Sequence, residues 1–224
     1  MTRTILVFLV IFSIAVGVAY KMNSDQVNKE AHVLKVYNPI DITEKSLVDS
    51  TLLRKGYGHT IGDFSFINQY GESITHQDIA DKIVVVDYFF TTCGSICPKM
   101  TAQMTRVQGA FLNDTHVMIL SHTVWPEVDT IAQLRQYAQE KGIKRGKWHL
   151  LTGNKTDLYE MARKSYFVLK PAEADNVGDG DSDFIHTNNF VLVDRKRRIR
   201  GYYDGTSSDE VDHLIQDIKL LLAE

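Results

Sequence analysis

The sequence from Ile83 to Met100 reads IVVVDYFFTTCGSICPKM, and this stretch decides the fold of the chain. It opens with an apolar run that is too continuous for a half-exposed strand. Such a run predicts a central strand buried on both faces, usually within a parallel sheet. Apolar residues then recur at helical spacing and predict a helix, at Met100, Met104, Val107 and Phe111. The sequence between these elements is therefore a strand-to-helix loop.

Both cysteines of the chain lie in this loop and at the start of the helix. We expect Ser95 to cap the helix and Pro98 to lie in its first turn, where the missing N–H leaves no helix bond unmade. Cys93 then lies in the loop and Cys97 in the first helical turn. A helix N-terminus favours negative charge and lowers the pKa of a thiol, so this position predicts a reactive or metal-binding pair.

The composition limits the classes of protein to be considered. A chain of 224 residues, 44% hydrophobic and 24% charged, suits one globular domain with an appendage. The net charge of −3 argues against nucleic acid as a partner. Two cysteines are too few for a disulfide-stapled scaffold, and their proximity indicates a site.

The N-terminus carries an apolar run from Ile5 to Ala19, after Arg3 and before Lys21. A membrane-spanning helix needs about 20 such residues, so the run is short for an anchor. A cleaved signal peptide is the alternative, because small residues are present around Gly17. Both alternatives place the following domain on the exported side of a membrane, periplasmic or equivalent.

We divide the chain into an anchor or signal segment over residues 1–21, a tether over 22–57 that packs partly on the domain, and a domain over 58–224. Within the domain the patterns predict a hairpin, the cysteine strand and helix, and a second buried strand ending at His122. Asp129 is expected to cap the helix that follows. A short strand, a helix, an acidic loop, a second hairpin and a final helix complete the domain. This order predicts an α/β, thioredoxin-like fold.

Two motifs together resemble the Sco/SenC family, whose members are membrane-anchored copper chaperones of cytochrome c oxidase with a thioredoxin-like fold. One is CGSICP, from Cys93 to Pro98, and the other is DFIHT, from Asp183 to Thr187, followed by NFVLVD. The resemblance covers roughly residues 58–221. It implies that the copper ligands are Cys93, Cys97 and His186.

The donor chemistry agrees with that implication. Two thiolates and an imidazole suit copper better than magnesium or calcium, whereas structural zinc sites usually have four ligands. A redox-active disulfide is the alternative, because Cα atoms four residues apart on a helix are about 6 Å apart, within disulfide reach. A peroxiredoxin-type peroxidase is less favoured, since its motif would need Pro at Val86 and Thr at Phe90.

His122 ends a strand that should also point towards the site. Family members commonly have an aspartate before the proline of the next turn, but Trp125 precedes Pro126 here. His122 could replace that aspartate, although a hydrogen-bonded structural histidine is the favoured interpretation.

We therefore expect a metallochaperone that carries copper to an oxidase subunit, depends on a thiol reductant and is held at a membrane by its N-terminal segment. The alternative is a thiol–disulfide oxidoreductase that keeps the cysteines of a client protein reduced.

Overall fold

The computed structural model describes residues 16–18, 34–168 and 187–224. The chain divides into two units, Met1–Leu34 and Lys35–Glu224. In the first unit, residues 16–18 are helical, and most of the predicted anchor or signal segment lies outside the described residues. None of the described helices is both long and apolar enough to cross a bilayer.

The second unit is built on a seven-stranded mixed sheet with the order β2-β1-β5-β4-β3-β6-β7. Its strands are β1 (Ser65–Asn68), β2 (Ser73–Thr75), β3 (Ile83–Phe89), β4 (Val117–Thr123), β5 (Trp148–Thr152), β6 (Asn189–Val193) and β7 (Ile199–Asp204). β3, β4 and β5 are parallel, while β6 runs antiparallel to β3. Every residue of β3 is buried, which confirms the predicted central strand.

Five α-helices accompany the sheet in the described part of the second unit. They are α1 (Ser50–Lys55), α2 (Cys97–Ala110), α3 (Ile131–Glu140), α4 (Lys155–Glu160) and α5 (Ser208–Ala223). A π-helical turn, Met161–Ser165, continues α4. The order of strands and helices confirms the predicted α/β class and both hairpins. The basic residues after β6 form the turn between β6 and β7.

Different helices cover the two faces of the sheet. Successive side chains of a strand point to opposite faces, so alternate residues of β3 contact different helices. Val84, Val86 and Tyr88 of β3 belong to the main hydrophobic cluster, which also contains residues of α4 and the π-helical turn. On the other face, the ring of Phe89 packs against Tyr137 of α3. α5 contacts both β3 and α2. Tyr137 is also hydrogen-bonded to Thr101 of α2 at 2.8 Å, so α2 and α3 meet on this face near the end of β3.

Residues 35–57 of the predicted tether belong to the same unit as the sheet. Ile42 and Val48 are buried in the hydrophobic cluster. Tyr37 forms an isolated antiparallel bridge with Ile199, the first residue of β7. Other residues of this range, among them Lys45, Ser50 and Tyr57, are exposed, so the packing of this segment on the domain is partial.

Candidate metal centre

The two cysteines lie at the carboxyl end of β3, as predicted. Cys93 is in the loop after the strand, and Cys97 is the first residue of α2. The N-cap is Ile96, so the expected cap at Ser95 was wrong. The Ser95 hydroxyl instead lies 3.6 Å from the Cys93 sulfur. Pro98 occupies the first turn, where it needs no helix hydrogen bond.

The two thiols are in contact and have different environments. Both are free, with Cys93 half-buried and Cys97 buried. Burial opposes ionisation of Cys93, but hydrogen bonds from the Cys97 thiol and from the backbone of Ser95 and Cys97 outweigh it and lower the pKa of Cys93. Burial and the bond to Cys93 raise the pKa of Cys97 to about 12. Cys93 is therefore the first of the two to become a thiolate.

A buried carboxyl lies below the pair on the face of β3 that α2 and α3 cover. The side chain of Asp87 is almost fully buried and accepts a hydrogen bond from the hydroxyl of Ser121. Ser121 in turn accepts one from the indole N–H of Trp148, at 2.8 Å. Burial raises the pKa of Asp87 to about 7. The charge of Asp87 also contributes to the raised pKa of Cys97, so the two groups are electrostatically linked.

His186 lies outside the described residues, as does the acidic loop before it. The strand that follows, β6, begins at Asn189 and pairs antiparallel with β3, with Val86 opposite Val191. The start of β6 therefore lies beside the end of β3, from which the cysteine loop departs. Across residues 34–168 and 187–224, no cluster of three or more His, Cys, Asp and Glu side chains is arranged to bind a metal.

His122 is fully buried in an aromatic environment. Its ring stacks on Tyr88 with centroids 5.2 Å apart, and it also meets Phe66 and Tyr166. Neither ring nitrogen has a hydrogen-bond partner among the described residues. Burial lowers the pKa of His122 to about 3. The ring shares the Tyr88 face of the sheet, opposite Asp87, and this placement supports a structural role, without the hydrogen bonds that we expected.

Trp125, which stands where the family commonly has an aspartate, packs against Phe90 with centroids 6.3 Å apart. The carboxylate near the cysteine loop is that of Asp129, which we expected to cap α3. The cap of α3 is Thr130, whose hydroxyl accepts from the N–H of Gln133. Asp129 accepts hydrogen bonds from Thr91 in the cysteine loop and from Thr123 at the end of β4. Asp129 lies one residue before the cap, and its carboxylate is bound by donors from other segments and not by the helix N-terminus.

Comparison with known families gives a match over most of the chain. The SCO1/SenC family profile matches residues 54–223. The SCO1 protein homolog of Bacillus subtilis is 31% identical over 165 residues, which cover 72% of this chain and 82% of that protein.

Similar solved structures agree with that match. A SCO1/SenC family lipoprotein from Bacillus anthracis has a TM-score of 0.64 and 28% identity, covering 76% of this chain and 99% of that one. BsSco, a member of the Sco family of cytochrome c oxidase assembly proteins with a disulfide switch, has a TM-score of 0.60 and 29% identity, covering 72% and 92%. Copper-bound ScoI from Bradyrhizobium japonicum shares the fold, with a TM-score of 0.57 and 23% identity over 73% and 99% of the two chains.

Proposed function

The chain belongs to the SCO1/SenC family, and on that premise we propose that it is a membrane-tethered copper chaperone that assists assembly of the copper centre of cytochrome c oxidase. The observation that carries the proposal is the pair of contacting free thiols, Cys93 and Cys97, where β3 meets α2. Copper is the cargo of such a protein. Relatives with copper bound support this choice of metal.

The proposed ligands are the sulfurs of Cys93 and Cys97 and the imidazole of His186. Soft thiolates and a borderline imidazole form a donor set that suits copper. Cys93 binds first, since it is the more exposed sulfur and has the lower pKa. Copper then stabilises the thiolate of Cys97 despite its burial, because a bound metal favours deprotonated ligands. The start of β6 beside the end of β3 supports the inclusion of His186.

A copper titration of the reduced full-length protein tests the ligand set. We expect one copper per chain and, with Cu(II), a thiolate charge-transfer absorption band. Cys93→Ser and Cys97→Ser should abolish that band, while His186→Ala should weaken binding and change the spectrum. His213→Ala is the matched control, because His213 is exposed on α5. Spectra that stay unchanged in all three ligand variants would refute the site.

A thiol–disulfide oxidoreductase that reduces a client's cysteines is the second candidate. The lowered pKa of Cys93 favours it, since a thiolate attacks a disulfide. Copper-free reduced protein, mixed with a disulfide peptide from an oxidase copper site, separates the two candidates. Rapid reduction of the peptide supports the oxidoreductase. In a second reaction copper-loaded protein is mixed with the reduced peptide, and transfer of copper to the peptide supports the chaperone.

The proposed location is a membrane surface, with the domain on the exported side. The apolar run from Ile5 to Ala19 supports it, and a similar solved structure is a lipoprotein. Fractionation of cells that express the native chain tests this proposal. The protein should sediment with membranes and be accessible to protease from the exported side, whereas recovery in the cytosol would contradict it.

A further inference from the structure

Asp129 is a buried carboxylate that connects three segments around the cysteine loop. It is fully buried and lies in the turn between β4 and α3. One carboxylate oxygen accepts from the backbone N–H of Thr91 at 3.1 Å and from the hydroxyl of the same residue. The other oxygen accepts from the hydroxyl of Thr123, the last residue of β4. Asp129 thus binds the start of the cysteine loop to the end of the neighbouring strand.

Burying a carboxylate costs free energy of folding unless its oxygens accept hydrogen bonds. Among the described residues, Asp129 forms no ion pair with a basic side chain, so hydroxyl and backbone donors satisfy it alone. It is not needed to begin α3, since Thr130 caps that helix. Two of its bonds go to Thr91, which is two residues before Cys93. The residue that its hydrogen bonds chiefly fix is therefore Thr91.

The loop from Thr91 to Cys97 is held mainly at its two ends. At one end Asp129 holds Thr91, and the N–H of Cys93 donates to the carbonyl of Phe90 at 3.2 Å. At the other end Cys97 is fixed as the first residue of α2, whose turns include the buried Met100. The position of Cys93 relative to Cys97 therefore depends on how firmly Thr91 is held.

We propose that Asp129 is a positioning residue for the cysteine pair, which fixes Thr91 so that the sulfur of Cys93 stays against that of Cys97. The inference rests on the proposed function only in taking this pair as the working site. Holding two reacting groups in contact favours the bond between them, so loosening Thr91 should disfavour the disulfide. The same loosening should weaken the binding of any ligand that is coordinated by both sulfurs.

The test measures disulfide formation in copper-free, full-length protein. The protein is equilibrated with glutathione, in a reaction where the protein dithiol and one oxidised glutathione give the protein disulfide and two reduced glutathione molecules. Asp129→Asn removes the carboxylate, and Thr91→Val removes only the side-chain donor. Thr91→Ser keeps the hydroxyl. Asp194→Asn is the control for loss of a buried carboxylate, because Asp194 lies in the turn between β6 and β7, at the opposite end of β3.

We expect the equilibrium constant for disulfide formation to fall on the order of tenfold in Asp129→Asn and Thr91→Val. It should stay within about twofold of wild type in Thr91→Ser and Asp194→Asn. A wild-type constant in folded Thr91→Val would overturn the proposal, as would an equal fall in Asp194→Asn. If Asp129→Asn does not fold, the two Thr91 variants decide the question. A failure of the copper proposal would appear in the wild-type copper titration and leave this result unchanged.

Discussion

Asp87 and His122 lie in adjacent register pairs of β3 and β4, and their side chains point to opposite faces of the sheet. Asp87 is opposite Ser121, and Tyr88 is opposite His122. Burial raises the pKa of Asp87 to about 7 and lowers that of His122 to about 3. Burial thus favours the neutral form of both groups, but the two shifts act on stability in opposite directions as the pH changes.

Replacing His122 with phenylalanine should make the protein more resistant to acid. Below pH 6.5 the unfolded chain takes up a proton at this histidine, while the folded protein does not until about pH 3. The stability that this group contributes above pH 6.5 is therefore lost as the pH falls. At pH 4.5 that loss is about 3 kcal/mol, which His122→Phe avoids.

Urea unfolding followed by circular dichroism at pH 4.5 and 7.5 measures this difference. At pH 7.5 His122→Phe should match wild type or be more stable by about 1 kcal/mol, because two unpartnered nitrogens are removed. Its copper spectrum should be unchanged. A variant that is less stable at both pH values, or has an altered copper spectrum, would show that His122 makes a contribution beyond packing.

Replacing Asp87 with asparagine should stabilise the protein at neutral and alkaline pH. Between pH 3.8 and about 7 the folded protein holds a proton at Asp87 that the unfolded chain has released, so stability falls as the pH rises through this window. The difference between the two pKa values corresponds to roughly 4 kcal/mol. Asparagine resembles the protonated form and can still accept from Ser121.

The same unfolding measurements check this prediction. The expected pH dependence is the opposite of that for His122→Phe. Asp87→Asn should exceed wild type at pH 8 by up to about 4 kcal/mol and differ little at pH 4. Asp87 makes stability fall as the pH rises from 3.8 to about 7, whereas His122 makes stability rise with pH up to 6.5. Between pH 3.8 and 6.5, Asp87→Asn should therefore increase the rise of stability with pH, and His122→Phe should decrease it. An Asp87→Asn protein that is less stable at pH 8 would contradict the burial argument.

The two cysteines should differ in their rate of alkylation. Cys93 is half-buried with a lowered pKa, whereas Cys97 is buried with a pKa of about 12. Iodoacetamide at pH 8 should therefore modify Cys93 about tenfold faster or more, since only the thiolate reacts. Peptide mass spectrometry of samples taken over time gives both rates. Equal rates would mean that the two thiols share one environment. Unfolded protein in urea is the control, because the difference in rate should disappear there.

A disulfide between Cys93 and Cys97 should prevent tight copper binding. The disulfide consumes both thiolates, and bound copper should in turn slow oxidation by occupying the same sulfurs. The test is to oxidise the copper-free protein, confirm the loss of free thiols by alkylation and then add copper. We expect no stoichiometric binding until a reductant is added. Tight binding of one copper by the oxidised form would exclude these sulfurs as principal ligands.

The features of the fold that depend on hydrophobic pattern could be predicted from the sequence. The continuous apolar run predicted β3, and the spacing of Met100, Met104 and Val107 predicted α2. The helix caps at Ser95 and Asp129 were wrong, because a polar residue near a helix start can hydrogen-bond elsewhere once tertiary partners are available. Thr91 and Asp129 are far apart in the sequence, and no local sequence pattern indicates that they are in contact.

The pKa values of the groups at the site could also not be predicted from the sequence. A helix N-terminus predicted low pKa values for both thiols, but burial of Cys97 reverses the effect for one of them. Asp87 reads as an interruption in an apolar run, and only the sheet places it beside Ser121 and below Cys97. The role of His186 remains a prediction from the family resemblance and the donor chemistry.

The bridge between Tyr37 and Ile199 has a consequence for how the domain avoids self-association. β7 is an edge strand of the sheet, and an open edge offers unpaired backbone groups to another chain. The N–H of Tyr37 donates to the carbonyl of Ile199 at 2.8 Å, and the Arg200 side chain donates to the carbonyl of Lys35. The segment that leads into the domain therefore covers the beginning of this edge. A chain shortened beyond Tyr37 would expose that edge to strand pairing between copies of the domain.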